Sequence, residues 1–270
     1  MPVLGFDLPD TVPRVLRWTP DGLTKPDPEH YLRLSPFSAK ARLAIEEIYE
    51  DLAHHTSLDG ILFHDDAVLT DYEDASDEAL KTYEAEGLAP SIQTLRSDDQ
   101  LTQQWTRLKT KTLTQFTLQL RNRVEAVTGS RVKTARNLFA LPVLEPESSQ
   151  WFGQNLDDFL RHYDFTAIMA MPLMEGVEAD ASSTWIATLV DAITQKPNGL
   201  AQTVFELQTK DWSLPGSPAI DSNLFEQWLN VLQDKGVWHF GYYPDDFHQN
   251  QPILEKVRTF MQSPDIESRQ

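Results

Sequence analysis

Adjacent carboxylates at the end of an apolar run are the residues of this chain best suited to chemistry. Asp65 and Asp66 close the segment Gly60-Ile-Leu-Phe-His-Asp-Asp66, and Asp71 follows shortly after. The run is typical of a buried strand, and substrates of α/β proteins bind at the carboxyl ends of parallel strands. The acids are therefore placed to bind a polar or cationic ligand. The structural alternative is that they only cap a following helix.

Polar and aromatic residues follow the other apolar runs in the same way. Such groups build carbohydrate sites, since aromatic rings stack on sugar C–H faces while carboxylates and amides bind hydroxyls. These strand-end residues are Arg136, Asn137, Met171, Glu175, Glu206, Gln208, Trp212, Tyr242, Tyr243 and Asp245. The sequence contains no glycine-rich phosphate loop, no His-Glu-x-x-His motif and no nucleophile-elbow serine, so we expect no cofactor.

The tryptophans divide into two groups by their sequence context. Trp151, Trp185 and Trp228 lie within helical patterns, which is typical of core residues. Trp212 instead follows a predicted strand in a polar loop, where aromatic rings are exposed for binding. Trp212 is therefore the candidate ligand platform on spacing alone.

Composition excludes several classes of site and partner. The chain has 270 residues, no cysteine and a formal net charge of −18 at pH 7. Without cysteine there is no thiolate metal site, and His54 and His55 end a predicted helix, where a cation suits the dipole. We expect no metal at these residues or at His64. The acidic balance argues against nucleic acid and anionic membranes and favours a cationic ligand, although it also serves solubility.

Short apolar runs alternate with helical patterns, and no linker interrupts them, so we predict a single domain over residues 1–270. No run reaches the roughly 18 apolar residues of a membrane span, and no signal peptide is visible. Strands are predicted over 14–18, 60–64, 132–139, 165–171, 203–208 and 237–243. Helices are predicted from a Ser35-Pro36 start to 52, over 101–127 up to Gly129, and over 151–160, 185–193, 224–232 and 253–261. This alternation predicts an α/β fold, a (β/α) barrel first and a doubly wound sheet second.

Five sequence blocks resemble a known family. They are Tyr31-Leu-Arg-Leu-Ser-Pro-Phe37, Gly60-Ile-Leu-Phe-His-Asp-Asp-Ala-Val-Leu-Thr-Asp-Tyr-Glu-Asp-Ala-Ser76, Lys133-Thr-Ala-Arg-Asn-Leu-Phe-Ala-Leu-Pro142, Ala167-Ile-Met-Ala-Met-Pro172 and Gly241-Tyr-Tyr-Pro-Asp245. The blocks run from one end of the chain to the other. They are similar to the C-terminal glycoside hydrolase domain of the PgaB family, bacterial poly-β-1,6-N-acetyl-D-glucosamine N-deacetylases.

The resemblance implies a (β/α)8 TIM-like barrel in the periplasm that binds and cleaves the partially de-N-acetylated polymer, a biofilm exopolysaccharide, during its modification and export. It places Asp65, Asp66 and Asp71 in a catalytic acidic cluster. With the strand-end residues, the substrate-binding set becomes Tyr31, Arg33, His64, Arg136, Asn137, Trp151, Glu206, Trp212, Tyr242, Tyr243 and Asp245. The resemblance thus overrides the core interpretation of Trp151. It also implies an outer-membrane export porin and the polymer synthase complex as neighbours.

The chain departs from the family pattern in two ways. Nothing in the chain resembles the deacetylase domain, so we expect no deacetylase activity from it. The segment Met1-Pro-Val-Leu-Gly-Phe-Asp-Leu8 resembles the end of the family's second barrel strand, which predicts a barrel truncated at its N-terminus with about six of the eight strands. A non-catalytic module that guides the deacetylated polymer is the alternative function.

Glycosidic cleavage requires one acid and one further group. The acid protonates the leaving oxygen, while the other group attacks the anomeric carbon, activates water or orients the acetamido group of the sugar. We predict Asp65 as the acid, with Asp71 as its main competitor. Asp66 or Asp71 would orient the amide in a substrate-assisted reaction, and the sequence leaves these mechanisms open.

Overall fold

The computed structural model of the chain describes residues 12–25 and 33–261. Tyr31 and the predicted strand end at Leu8 lie outside the described residues. In chain order the elements are β1 (Arg17–Trp18), β2 (Thr24–Lys25), α1 (Ala39–His55), β3 (Gly60–Phe63), α2 (Asp77–Ala85), α3 (Ile92–Leu95), α4 (Asp99–Thr128), β4 (Lys133–Phe139), α5 (Leu141–Leu144), α6 (Ser149–Phe152), α7 (Leu156–His162), β5 (Phe165–Ala170), α8 (Ala179–Thr194), β6 (Thr203–Gln208), α9 (Ser222–Asp234), β7 (Phe240–Tyr243) and α10 (Leu254–Met261). Short 3-10 turns span Pro146–Ser148 and Leu200–Gln202.

Five parallel strands form the main sheet of the described residues, hydrogen-bonded in the order β3-β4-β5-β6-β7. Helices lie between successive strands, which is the connection that parallel neighbours require. The predicted alternation and the α/β class are confirmed. β6 has the predicted bounds, and β7 begins later than predicted, at Phe240.

The predicted strand over 14–18 is not a strand of this sheet. Arg17 and Trp18 of β1 pair with Lys25 and Thr24 of β2 in an antiparallel hairpin. Gly22 permits the tight connection because its φ is +93°, a conformation that L side chains rarely adopt. The described residues therefore contain five parallel strands, and the segment over 14–18 is not one of them.

The chain forms two compact units. The first comprises Met1–Arg136 and Glu145–Asp164, and the second comprises Asn137–Leu144 and Phe165–Gln270. In the first unit, α4 begins where the Asp98 carboxylate accepts a hydrogen bond from the Leu101 amide at 2.9 Å. It ends, as predicted, at Gly129, which is left-handed with φ of 69°. None of the described helices combines the length and apolar character that crossing a membrane requires.

The ends of α1 differ from the prediction. Ser38, not Ser35, caps this helix, with its hydroxyl accepting from the Ala41 amide at 3.3 Å. Ser35 instead donates a hydrogen bond to a buried aspartate described below. Ala41, Ile45 and Ala53 are the buried α1 side chains, while Ile48 and Leu52 are exposed in the described structure.

The acidic stretch after β3 leads into α2, a helix that was not predicted from the sequence. Ser76 caps α2 through its hydroxyl, which accepts from the Ala79 amide. Tyr83 of α2 and Trp105 of α4 are fully buried, and their rings lie 6.1 Å apart in an edge-to-face arrangement. Trp18 packs against both. This aromatic cluster anchors the stretch that carries the acids.

The second unit has an apolar centre built from β5, β6, α8 and α9. Trp228 of α9 is fully buried, as predicted, and its indole N–H donates to the Ser182 hydroxyl of α8 at 2.8 Å. Trp185 is half-buried on α8. The parallel register of β5 and β6 pairs Met169 with Glu206. The Glu206 carboxylate on β6 therefore lies next to a buried methionine on β5.

Candidate active site

The turn after β3 presents three predicted site residues together. β3 pairs with β4 through Phe63 and Arg136, and the buried Phe63 is the last strand residue, so the chain leaves the sheet at His64. The His64 imidazole Nδ1 is the ion-pair partner of the Asp65 carboxylate when the ring is protonated, and these side chains are 56% and 24% exposed. Asp66 is half-buried in the same turn. The acids therefore lie at the carboxyl end of a parallel strand, reachable from solvent.

Arg136 supports this turn from the interior. Its guanidinium donates to the Ala67 carbonyl at 2.8 Å. It also donates to the hydroxyls of Thr114 and Tyr163 at 3.2 and 3.0 Å. We expected Arg136 to bind substrate, but its side chain is fully buried and has no surface for a ligand to contact. The buried cation instead fixes the backbone carbonyl that directly follows the acids.

Asp71 is held by an arginine that the sequence did not single out. Arg96 donates from Nη1 to the Asp71 carboxylate at 2.7 Å and to the Asp71 carbonyl at 3.0 Å. The Arg96 guanidinium also lies 4.7 Å from the centroid of the Tyr72 ring. The two hydrogen bonds from one guanidinium fix both the backbone and the side chain of Asp71, so the carboxylate has a defined direction. No local motif marks Arg96, because the contact spans 25 residues of chain.

Arg33 is also structural. Its guanidinium donates to the Glu73 carboxylate at 2.6 Å and to the Val68 carbonyl at 2.8 Å. The second oxygen of Glu73 accepts from the Thr70 amide at 3.0 Å. Arg33 is only 8% exposed, so its predicted role in binding substrate is replaced by a role in shaping the chain between Asp66 and Asp71. Tyr31, predicted from the same block, lies outside the described residues.

Trp151 lies beside this acidic segment and is 42% exposed on α6. The Leu69 amide donates to the Phe152 carbonyl at 3.0 Å, which ties the acidic segment to the helix that carries the indole. Gly153 ends α6 with φ of 62°, and a Cβ added there would lie 3.2 Å from Leu113. The ring is thus not a core residue of the described structure, and its position in a substrate groove stays a prediction.

His64, Asp65 and Asp66 also have the geometry of a possible cation site. One ligand atom from each lies within 4.8 Å of the others, and imidazole with carboxylates is a ligand set that several divalent metals accept. The sequence led us to expect no metal here. The same carboxylates are those predicted to cleave a glycosidic bond, so activity measured with and without a chelator distinguishes the two uses of the turn.

In the second unit, Asn137 and Glu206 form a polar pair. Asn137 of β4 donates from Nδ2 to the Glu206 carboxylate of β6 at 2.5 Å, and the same nitrogen lies 3.5 Å from the Ala167 carbonyl of β5. Both residues were predicted to bind substrate. Asn137 is nearly fully buried and Glu206 is half-buried, so a carboxylate oxygen of Glu206 is the group closer to a ligand.

An aromatic pair lies at the ends of β6 and β7. Trp212 and Tyr243 are stacked at 6.2 Å with 29° between their planes, and they are 36% and 51% exposed. Tyr242 instead packs edge-to-face against Phe225. Burial, together with the charge of Asp245, raises the pKa of the Tyr242 hydroxyl. Of the two predicted tyrosines, Tyr243 therefore has the more exposed ring. The exposed Asp245 lies close enough to Tyr242 to affect the pKa of its hydroxyl.

Glu175 is a half-buried carboxyl in the loop after β5. It follows β5 in a loop whose Leu173 and Met174 amides donate to the Gln208 side-chain oxygen at 2.8 and 3.2 Å. Burial raises the pKa of Glu175 above its ordinary value. A desolvated carboxyl in a loop after a strand has the property of a proton donor. Its position after a predicted strand was visible in the sequence, but its burial was not.

Comparison with known proteins identifies a family and its relatives. The chain matches the family described as hypothetical glycosyl hydrolase family 13 over residues 1–243. Curated poly-beta-1,6-N-acetyl-D-glucosamine N-deacetylases from Escherichia coli K12 and Escherichia coli O157:H7 are each 46% identical over 261 residues. The alignments cover 96% of this chain and 39% of each relative. The chain thus spans less than half the length of the curated relatives that it matches.

A solved structure agrees with these matches. The PgaB (BpsB) glycoside hydrolase domain from Bordetella bronchiseptica superposes with a TM-score of 0.83 and 43% sequence identity, covering 93% of this chain and 69% of that chain. The resemblance inferred from five sequence blocks and the predicted TIM-like (β/α) class are confirmed. With a family match that extends over most of its length, this chain belongs to hypothetical glycosyl hydrolase family 13.

Proposed function

We propose that this chain binds and cleaves partially de-N-acetylated poly-β-1,6-N-acetyl-D-glucosamine as an endo-acting glycoside hydrolase. The observation that carries the proposal is the pair Asp65 and Asp66, partly exposed at the carboxyl end of β3 in a member of a glycosyl hydrolase family. The relatives named for this polymer supply the substrate class. We do not propose a deacetylase activity for this chain.

Asp65 acts as the general acid. Its proton passes to the glycosidic oxygen as the bond to the anomeric carbon breaks, and the leaving sugar departs as an alcohol. Water completes the reaction at the anomeric carbon. If water attacks directly, its proton passes to Asp71 and on to solvent, and His64, beside Asp65 and open to solvent, returns a proton to the Asp65 carboxylate. If the acetamido oxygen attacks first, the Asp65 carboxylate takes the proton of the water that opens the cyclic intermediate, which regenerates the acid.

Asp66 and Asp71 act on the other side of the reaction. Asp71, fixed by Arg96 at 2.7 Å, orients the acetamido N–H or the attacking water. Asp66 stabilises positive charge that develops on the sugar ring. Glu175, whose pKa burial raises, is the alternative acid, and its variant belongs in the same set of experiments.

The deacetylated sugars explain the acidic character of the binding surface. Glucosamine carries an ammonium group near neutral pH, which pairs with carboxylates such as Asp245 and Glu206. The stacked rings of Trp212 and Tyr243 offer a face for sugar C–H groups. We therefore propose that binding weakens as salt is added, because screening reduces attraction between exposed charges.

The setting of the reaction follows from the family. We propose a periplasmic location and an outer-membrane export porin as a neighbour, with the deacetylase activity supplied by another segment or protein. No cofactor is required by the chemistry above. The acidic balance of the chain, −18 at pH 7, is consistent with a polycationic polymer as partner.

Cleavage of defined substrate tests the proposal. Partly deacetylated polymer is incubated with the protein, with and without EDTA, and products are measured by mass spectrometry. We expect shorter oligosaccharides, unaffected by EDTA, and loss of at least roughly 100-fold in rate for Asp65→Asn. Asp51→Asn, at an 80% exposed side chain on α1, is the control and should cleave normally.

Other outcomes assign other functions. Binding without cleavage by the wild type would support the polymer-guiding module instead. Cleavage abolished by EDTA would assign the turn after β3 to a metal. If Asp65→Asn cleaves normally while Glu175→Gln does not, Glu175 is the acid. Absence of both binding and cleavage rejects the proposed substrate.

A further inference from the structure

Lys109 is a buried cation whose hydrogen bonds go to the backbone. It lies on α4 with no exposed surface, and its Nζ donates to the Thr70 carbonyl at 2.6 Å and reaches the Gln150 carbonyl at 3.4 Å. The same Nζ lies 4.0 Å from the centroid of the Trp105 ring. A lysine in this position is unusual, because lysine is almost never fully buried.

The two carbonyls belong to residues next to predicted site residues. Thr70 directly precedes Asp71, and Gln150 directly precedes the exposed Trp151. Lys109 therefore joins the segment that carries a candidate catalytic acid to the helix that carries a candidate sugar-binding ring. The amide of Leu69 bonded to the Phe152 carbonyl at 3.0 Å is a second link between the same two segments.

The Lys109 ammonium is unfavourable to bury. Burial lowers the pKa of Lys109 to about 7, and the nearby charges of Asp71 and Glu73 oppose this while that of Arg96 adds to it. Hydrogen bonds to two backbone carbonyls offset the cost of removing the ammonium from water. Those two bonds end on two separate segments of the chain, so the group that satisfies Lys109 is also the group that ties the segments together.

We infer that Lys109 is a positioning residue that holds the Asp71 segment and the Trp151 helix in one geometry through their backbone carbonyls. The inference rests on the proposed hydrolase function for its effect on turnover. Lys109 acts through the orientation of Asp71. Arg96 also holds Asp71, but the Arg96 side chain can move, and Asp71 would then move with it. Small displacements of this kind reduce turnover strongly without abolishing substrate binding.

Lys109→Met tests the inference, with Lys111→Met as the matched control. Lys111 lies on the same helix, is exposed, and receives the same substitution. For Lys109→Met we expect kcat to fall roughly 10- to 100-fold, with KM changed less than about threefold. We expect a lower melting temperature than that of the wild type, because two buried carbonyls lose their donor, so kcat is measured well below it. Lys111→Met should match the wild type in all three. Lys109→Arg, which keeps a cation and its donors, should retain more kcat than Lys109→Met.

A second measurement uses no substrate. Hydrogen exchange should become faster in residues 68–74 and 149–153 of Lys109→Met, and should stay unchanged in α4 itself. This measurement is independent of cleavage: if the wild type fails to cleave the polymer, the proposed function fails, while the exchange result still decides the positioning role. Unchanged kcat, a KM that rises in step with the fall in kcat, or unchanged exchange in both segments would overturn the inference. If Lys109→Met does not fold, Lys109→Gln, which is shorter and uncharged but keeps a hydrogen-bond donor, takes its place with the same expected results.

Discussion

Asn137 reaches from β4 to β6 and donates to a carboxylate oxygen of Glu206 at 2.5 Å. The same nitrogen also lies 3.5 Å from the Ala167 carbonyl of β5. One side-chain amide of β4 therefore contacts both β5 and β6. The bond is charge-assisted, which makes it stronger than a bond between neutral groups. It therefore fixes the Glu206 side chain in a single direction and leaves the carboxylate as the group available to a ligand.

Replacing Glu206 with glutamine should cost both stability and affinity. Glu206→Gln retains the shape but loses the charge that strengthens the bond to Asn137, and we expect the free energy of unfolding to fall by about 1 kcal/mol. Affinity for deacetylated oligomers should fall more than affinity for fully acetylated ones. Urea denaturation and calorimetric titration measure these effects. Glu226→Gln, at an exposed glutamate bonded to Lys256, is the control; an equal loss of stability in it would contradict the assignment.

Removing Arg96 should impair catalysis more than folding. Arg96→Met leaves Asp71 without its two hydrogen bonds, so we expect kcat/KM to decrease roughly 10- to 100-fold through misorientation. The pair is partly exposed, so the melting temperature should change little. Steady-state kinetics with a thermal melt by circular dichroism distinguishes the two effects. Arg107→Met, at an exposed position on α4, should leave both unchanged, and full activity of Arg96→Met would remove Asp71 from the mechanism.

The stacked pair of Trp212 and Tyr243 should contribute to binding, not to the chemical step. Trp212→Ala removes one ring face, and we expect affinity for oligomers to weaken by about 1–2 kcal/mol, with kcat nearly constant at saturating substrate. Tryptophan fluorescence titration measures the affinity. Trp238→Ala, at a ring that is 47% exposed in the same unit, is the matched control. Equal losses in both variants would point to a general effect of removing exposed rings.

Asp74 should make stability depend on pH below neutrality. It is fully buried, and burial raises its pKa to about 6 although Ser35, Ser76 and the Leu16 amide donate to it. The folded state therefore binds the proton more tightly than the unfolded state, so the stabilisation is fully present below about pH 4 and is lost as pH rises through about 6. Its magnitude is about 1–3 kcal/mol.

Comparison with Asp74→Asn isolates this contribution from the other carboxylates. The unfolding free energies of the wild type and Asp74→Asn are measured in urea at intervals from pH 4 to pH 7. As pH rises, the wild type should lose stability relative to Asp74→Asn. Asp51→Asn, at an exposed aspartate, should give a difference that is constant with pH. A constant difference for Asp74→Asn as well would show that Asp74 does not take up a proton in this range.

The sequence predicted the strands and their order better than it predicted the roles of the cations. Apolar runs and helical periods are local, and they located the five parallel strands and α4 with its Gly129 end. The hairpin over Arg17–Trp18 was misassigned because a short apolar run has the same local pattern in either pairing. Long-range pairing decides the difference, and a single sequence does not contain it.

The candidate site shows the same division. Positions after strands singled out Asp65, Asp66, Glu206 and Trp212 as candidates, since the end of a strand is a local feature, and their roles stay predictions. Arg136 also follows that rule, yet its side chain is fully buried, because side chains alternate between the two faces of a strand. Arg96 and Lys109 lack any local signal. Their contacts with Asp71 and Thr70 depend on how α3 and α4 pack.

Gln208 has a consequence for engineering of this family. Its side-chain oxygen accepts from the Leu173 and Met174 amides, while its nitrogen donates to the Lys210 carbonyl at 2.7 Å. One carboxamide thus belongs to two loops at once, the one that leads to Glu175 and the one that leads to Trp212. A chimera that exchanges either loop between relatives must carry a compatible residue at position 208, and the smallest transferable module contains both loops together with the end of β6.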